Sequence, residues 1–296
     1  MNDQAQELRQ MVNNVIASQD PNRKQTKVIT VTSGKGGVGK SNFTLNFALI
    51  LQSYGYKVLI FDADIGFANI DVLMGMTPQY NLHHMLKREK TIWEIINVGH
   101  NNLQFIGGGS GFQDLIRLSE SEVEYFVSQV NQLNGHVDFI IFDTGAGLSK
   151  ETLRFIIAAN ETIVLTTPEP TSVMDAYSII KMVRAMNYKI KFQLVVNRVA
   201  DAKEGKQTAD KISMVCQRFL NIELPVLGYV PDDLNVTKAV KKQVPFSLAF
   251  PNSEATRGVS SIVQRFVAGQ TASPEPETEN SGIKGFLGKM MKLLKQ

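Results

Sequence analysis

The residues best suited to do chemistry are Gly34-Lys35-Gly36-Gly37-Val38-Gly39-Lys40-Ser41. They follow the apolar run Val28 to Val31 and precede a helical pattern from Ser41 to Tyr54. Glycines let backbone N–H groups converge on an anion with no Cβ in the way. The helix that follows adds its unpaired N–H groups and the positive end of its dipole. In such a phosphate-binding loop, Gly34 to Ser41 would cradle phosphates and Lys40 would reach the outer ones. The Ser41 hydroxyl would ligate Mg²⁺. Taken by itself, Lys35 reads as a second local phosphate contact.

Carboxylates at two strand ends could complete the site. Val58-Leu59-Ile60-Phe61 runs into Asp62-Ala63-Asp64, and residues two apart on a strand share a face, so Asp62 and Asp64 both point toward the loop, with Asp62 expected as a further Mg²⁺ residue. The apolar run Phe139 to Phe142 ends at Asp143, a carboxylate placed to hold Mg²⁺ through a water, in partnership with Ser41. Singly, an aspartate after a strand reads equally as a turn or cap residue. Three of them at two strand ends beside a phosphate loop read as a site.

These residues need a frame. Between Thr26 and Val267 short apolar runs alternate with helical patterns. The expected strands are Val28–Thr32, Val58–Asp62, Leu103–Ile106, Phe139–Phe142, Thr162–Thr166, Phe192–Val196 and Val226–Tyr229. They are continuous rather than alternating, as in a parallel sheet covered on both faces. The expected fold is α/β, a doubly wound, mainly parallel sheet with ligand groups at the carboxyl ends of its strands. Gly55 stands where a helix-ending glycine is expected.

At 296 residues and 43% hydrophobic, the chain can bury a full core. One cysteine, Cys216, excludes a disulfide framework or a paired-thiol metal site. The four histidines lack zinc-like spacing; the adjacent pair His83 and His84 point in different directions on a helix. The N-terminus reads as no signal peptide, and no apolar run reaches the ~20 residues of a spanning helix. The expected compartment is the cytoplasm. The net charge of +3 is localised: residues 282–296 hold four lysines and no acid. That distribution argues against a nucleic-acid coat.

With Lys35 included, Lys35-Gly36-Gly37-Val38-Gly39-Lys40-Ser41 resembles the deviant phosphate loop of the MinD/ParA family of P-loop ATPases. The resemblance runs from about residue 27 to 265. Asp62 to Asp71 and Leu73-Met74-Gly75 look like the family's first switch; Asp143-Thr144-Gly145-Ala146-Gly147 is similar to the second, where proline often stands at the position of Ala146. The resemblance implies ATP and Mg²⁺ as cofactors and an ATP-dependent homodimer. Lys35 would cross to the partner's nucleotide, and Asp64 would orient the attacking water. Asn197-Arg198 and Pro231-Asp232 would hold the base. Ordinary turn chemistry is their alternative.

Both ends add expectations. Ile283, Phe286, Leu287, Met290, Met291 and Leu294 follow the i, i+3, i+4 pattern, with lysines on the other face. The polar, acidic stretch 269–281 reads as a linker. A basic amphipathic helix over 282–296 suggests an anchor to an anionic membrane surface, folding on that surface because three glycines weaken it in water. The alternative is a helix docked on the body or in a protein groove. Residues 1–24 carry a second stripe, Leu8, Met11, Val12, Val15 and Ile16, with Asp3 as N-cap and Gln6 completing a capping box. Asp3-Gln4-Ala5 with Leu8-Arg9 resembles the activator motif of the FlhG (YlxH) subfamily of flagellated bacteria. It implies that Gln4 acts in the site of a signal-recognition-type GTPase, FlhF, with Asp3, Leu8 and Arg9 holding the helix in place; an extra helix packed on the body is the alternative. Residues 25–268 would be the ATPase domain. Flagellar switch-complex proteins would be further partners, and the protein would sit peripherally on the inner face of the cell membrane. Rival readings are a division-site ATPase and a DNA-partition ATPase.

Overall fold

The computed structural model describes residues 25–64, 69–108, 120–272 and 282–294. The expected activator residues Asp3, Gln4, Leu8 and Arg9, part of the expected first switch, and most of the expected linker lie outside them. The strands are β1 (Lys27–Ser33), β2 (Val58–Ala63), β3 (Asn97–Val98), β4 (Gln104–Ile106), β5 (Phe139–Ala146), β6 (Glu161–Thr166), β7 (Lys191–Val199) and β8 (Val226–Pro231). Their order is β3-β4-β2-β5-β1-β6-β7-β8, parallel except where β3 meets β4. All seven expected strands form. The two-residue edge strand β3 was not foreseen, being too short to show a period.

The helices are α1 (Lys40–Ser53), α2 (Ile70–Leu73), α3 (Leu82–Leu86), α4 (Glu120–Asn131), α5 (Lys150–Ala158), α6 (Pro170–Ala185), α7 (Ala202–Leu220), α8 (Leu234–Lys242), α9 (Phe246–Ala249), α10 (Glu254–Ala272) and α11 (Gly282–Leu294). Alternate residues of β1 serve two cores. Ile29 and Val31 pack with α1 and α10, through Phe47, Leu51, Ile262 and Phe266. Val28 packs on the other face with Ile140, Phe142 and helices α4, α5 and α11. Burial on both faces is why these strands read as unbroken apolar runs. Gly55 ends α1 at φ 87, as expected.

At the amino ends of the central strands, Glu161 is fully buried and receives Lys27, Lys191 and Gln270. This ties β1, β6 and β7 to the end of α10. At the carboxyl ends, Asp62 of β2 lies in register with Asp143 of β5, which also pairs with Val31 just before the glycine loop. The parallel topology therefore gathers the loop and the carboxylates at one edge.

The expectation that α11 would fold only on a surface is corrected. Its apolar face is folded onto the body: Ile283, Phe286, Leu287, Met290 and Leu293 are buried and Met291 half-buried. The ring of Phe286 stacks on Phe142 with centroids 4.9 Å apart and lies 6.4 Å from Phe155. The groove supplies the burial that the glycine-weakened helix lacks in water.

Candidate nucleotide site

The phosphate loop joins β1 to α1, as the sequence requires. Gly39 caps α1 at φ 91, and a Cβ there would sit 2.5 Å from the Asn197 Nδ2. A Cβ on Gly34 would strike the backbone of Asp175 at 2.4 Å, so α6 can approach only a glycine. Gly36 and Gly37 face open space, which leaves room for phosphates.

Inside the loop, the Lys40 Nζ lies 3.1 Å from the Asp143 Oδ1, which also accepts the Thr44 hydroxyl at 3.0 Å. Lys40 is almost fully buried and Asp143 completely so. The second oxygen, Oδ2, is buried with no hydrogen-bond partner. An orphaned carboxylate oxygen beside a phosphate loop is what a hydrated Mg²⁺ would satisfy. Asp143 therefore fits the ion; when bound, it would neutralise charge on the phosphates.

Asp62 is also at this edge, but its carboxylate is turned to the first switch. Oδ2 accepts the N–H groups of Asn69 at 2.8 Å and Ile70 at 3.0 Å, and Oδ1 accepts that of Asp64 at 3.2 Å. Burial, then the charge of Asp143, raises its carboxyl to about 7 against the pull of those N–H groups. The expectation of Asp62 as an Mg²⁺ residue is therefore corrected: both its oxygens are taken by backbone N–H groups at the two ends of this loop, whereas Asp143 keeps a buried oxygen open. Asp64 is half-buried, with Oδ2 accepting the Asn69 side-chain amide at 3.1 Å. Burial raises its carboxyl; Lys40 opposes that rise and Asp143 adds to it. A Cβ on Gly145 would lie 3.3 Å from the Asp64 Oδ1, so Asp64 faces the second switch.

Lys35 is held away from its own loop. Its Nζ lies 2.6 Å from the Glu169 Oε2 and 3.2 Å from the Thr171 hydroxyl, at the start of α6.

The base-binding candidates come together. A pocket of ≈ 270 Å³ is lined by Gly39, Phe43, Asn197, Arg198, Pro231 and Asp232. The Asn197 amide donates to the Val38 carbonyl at 2.7 Å, and Arg198 adopts φ 56. Asn42, Val236, Phe246 and Val259 also line this pocket and were not foreseen. Asn42 follows the motif directly and was legible; Phe246 and Val259 arrive from elements with no local signal.

The ParA family model, described as "NUBPL iron-transfer P-loop NTPase", matches residues 24–267. The chain belongs to this family. Among its relatives, the antiactivator FleN of Pseudomonas aeruginosa is 34% identical over 239 residues, 81% of this chain and 85% of that protein. The flagellum site-determining protein YlxH of Helicobacter pylori is 35% identical over 298 residues, 99% of this chain and 100% of that one. The fold is similar to MinD of Pyrococcus horikoshii in complex with Mg-ADP, with a TM-score of 0.67 at 22% identity, covering 86% and 100% of the two chains. The chain is thus an FlhG-type member of the MinD/ParA ATPases, with ATP and Mg²⁺ as cofactors. The iron-transfer description is the family model's. Here Cys216 is the one cysteine, buried, its thiol pushed up to about 11 by burial, whereas cluster ligation takes several thiolates.

Proposed function

We propose that this ATPase is a switch that sets flagellar number or placement. The observation that carries the reading is the kinship to a flagellum site-determining protein over 99% of the chain, both ends included. In the proposed cycle two protomers sandwich two ATP–Mg²⁺ molecules. Gly34 to Ser41 bind phosphates, Asn197, Arg198, Pro231 and Asp232 hold adenine, and Asp143 with Ser41 serves Mg²⁺. Lys35 leaves Glu169 and neutralises charge on the partner's nucleotide; Asp64 positions water. With one water-positioning carboxylate, turnover is slow.

The docked α11 gives the switch its output. ATP-driven dimerisation favours release of the helix, whose lysines and apolar face then engage an anionic membrane. Two such helices on one dimer bind where one binds weakly. Among the described residues no helix is long and apolar enough to cross a membrane, so attachment by this route is peripheral. Residues 1–24 stimulate the GTPase FlhF, with Gln4 reaching its site.

The test is GTP hydrolysis by FlhF with a peptide of residues 1–23, and with the same peptide carrying Gln4→Ala. Stimulation lost on substitution supports the reading. No stimulation by peptide or full chain rejects the activator role of residues 1–24, and binding to a division inhibitor in its place would favour a division-site ATPase.

A further inference from the structure

Two segments at opposite ends of the chain carry one stripe. In α11 the apolar stripe begins Ile283, Phe286, Leu287, Met290 and Met291 and continues to Leu293 and Leu294, beyond the part that the amino-terminal segment repeats. Leu8, Met11, Val12, Val15 and Ile16 repeat that spacing residue for residue, i, i+3, i+4, i+7 and i+8. Only one of these stripes can fill the groove under α11 at a time.

The groove requires an occupant. Phe142 of β5 forms part of its floor and Phe155 of α5 part of its wall, with ring centroids 5.0 Å apart. Phe126 and Val130 of α4 belong to the same buried cluster. Withdrawing α11 would turn this into an open aromatic patch, of a kind that soluble proteins cover.

The amino-terminal stripe is tethered at the groove's mouth. A Cβ on Gly282, where α11 begins, would lie 2.8 Å from the Thr26 carbonyl oxygen and 3.5 Å from the Gln25 Cβ. The polypeptide preceding Gln25 therefore joins the body at that end of the groove. The eight residues from 17 to 24 reach about 26 Å when extended. A helix of the 13 residues of α11 is about 20 Å long. The stripe can thus be laid in the groove in either direction.

Charge sorts the two. The polar face of α11 carries Lys284, Lys289 and Lys292, whereas residues 1–20 hold one arginine against three acids. An anionic surface selects α11 and leaves the other stripe for the groove.

We propose that residues 8–16 and α11 are alternative occupants of this groove, residues 8–16 entering when α11 leaves. Its use in the cell rests on the membrane reading above. A protomer with α11 docked then offers its amino-terminal segment to a partner, and a protomer with α11 on a membrane withholds it.

The experiment is amide hydrogen exchange on the full chain without lipid, so it does not depend on membrane binding, which vesicle flotation tests separately. In the wild-type chain residues 8–16 should exchange at the unprotected rate. In the full chain carrying Phe286→Asp and Met290→Asp, α11 should lose protection and residues 8–16 should slow at least tenfold. Adding Val12→Asp should abolish that gain. Residues 8–16 remaining fast while α11 is released would overturn the proposal, as would equal protection in the wild type. Retained protection of β5 reports a folded body; should the double variant not fold, Leu287→Ala carries the same comparison.

Discussion

Lys35 and Glu169 form an ion pair, 2.6 Å from Nζ to Oε2, between the phosphate loop and the start of α6. Both side chains are substantially exposed, at 41% and 60%. The hydrogen bond from Lys35, then its charge, lowers the Glu169 carboxyl. Exposed pairs of this kind are weak and screened by salt. The pair therefore parks Lys35 without trapping it. Replacing Glu169 with Gln should tighten ATP-dependent dimerisation by a few-fold at most, and less at high salt. Lys35→Ala should abolish dimerisation. Sedimentation with ATP reads both; a stable ATP dimer of Lys35→Ala would sink the trans role.

The buried pair of Lys40 and Asp143 predicts a sharper loss. Asp143→Asn keeps the shape of the side chain but removes the charge that the orphaned Oδ2 would offer Mg²⁺. Hydrolysis should fall on the order of 100-fold or more, and the Mg²⁺ dependence of ATP binding should flatten. Lys40→Ala should lose ATP binding itself. Calorimetry with and without Mg²⁺ separates the two, and unchanged Mg²⁺ dependence in Asp143→Asn would remove the metal assignment.

Asp64 faces the second switch and is held by Asn69. Asp64→Ala should bind ATP and dimerise, with turnover reduced roughly 10²- to 10⁴-fold, the range for loss of a group that handles the reacting water. Asn69→Ala should lower turnover less, because it frees Asp64 without removing it. Normal single-turnover hydrolysis by Asp64→Ala would rule out its role.

How much of this was legible follows the range of each signal. The loop, Asp62, Asp64 and Asp143 were legible because a strand end and a short motif are local. Asn197, Arg198, Pro231 and Asp232 were legible through resemblance, and the pocket gathers them. Glu169 was not: nothing in Pro168-Glu169-Pro170 says that Lys35, far off in sequence, will meet it. Asp62 shows a further limit. Alternation places it on the right face, but the backbone N–H groups that claim its oxygens depend on how the switch loop returns. For α11, periodicity gave the buried face and not the surface that buries it.

Glu161 offers a test of the scaffold apart from the site. Burial alone would raise its carboxyl; the Lys27 charge and the hydrogen bonds from Lys191 and Lys27 outweigh that and lower it below 4.5. A lowered folded value means that its contribution is full above the unfolded pKa and is lost as pH falls through the folded one. Glu161→Gln should cost at most roughly 3–5 kcal/mol at neutral pH, and less to the extent that both lysines can turn to water. The gap between wild type and variant should begin to narrow as pH falls below about 4.5 and close only below the lowered folded value. Denaturant melts followed from pH 7 down through the acid range measure it; a gap independent of pH would contradict the assigned charge interaction.

The contact of Phe155 with the docked tail separates groove from anchor. Phe155 belongs to the body, so Phe155→Ala weakens the groove while leaving the face that α11 would present to lipid unchanged. A buried Phe→Ala change costs about 3–5 kcal/mol, enough to bias a docking equilibrium. Flotation of the wild-type chain with anionic vesicles should require ATP. Flotation of Phe155→Ala should become largely independent of nucleotide, and deletion of residues 282–296 should abolish it in both. If Phe155→Ala folds and still floats only with ATP, the groove is not what restrains the helix. If the deletion floats unchanged, the tail is not the anchor.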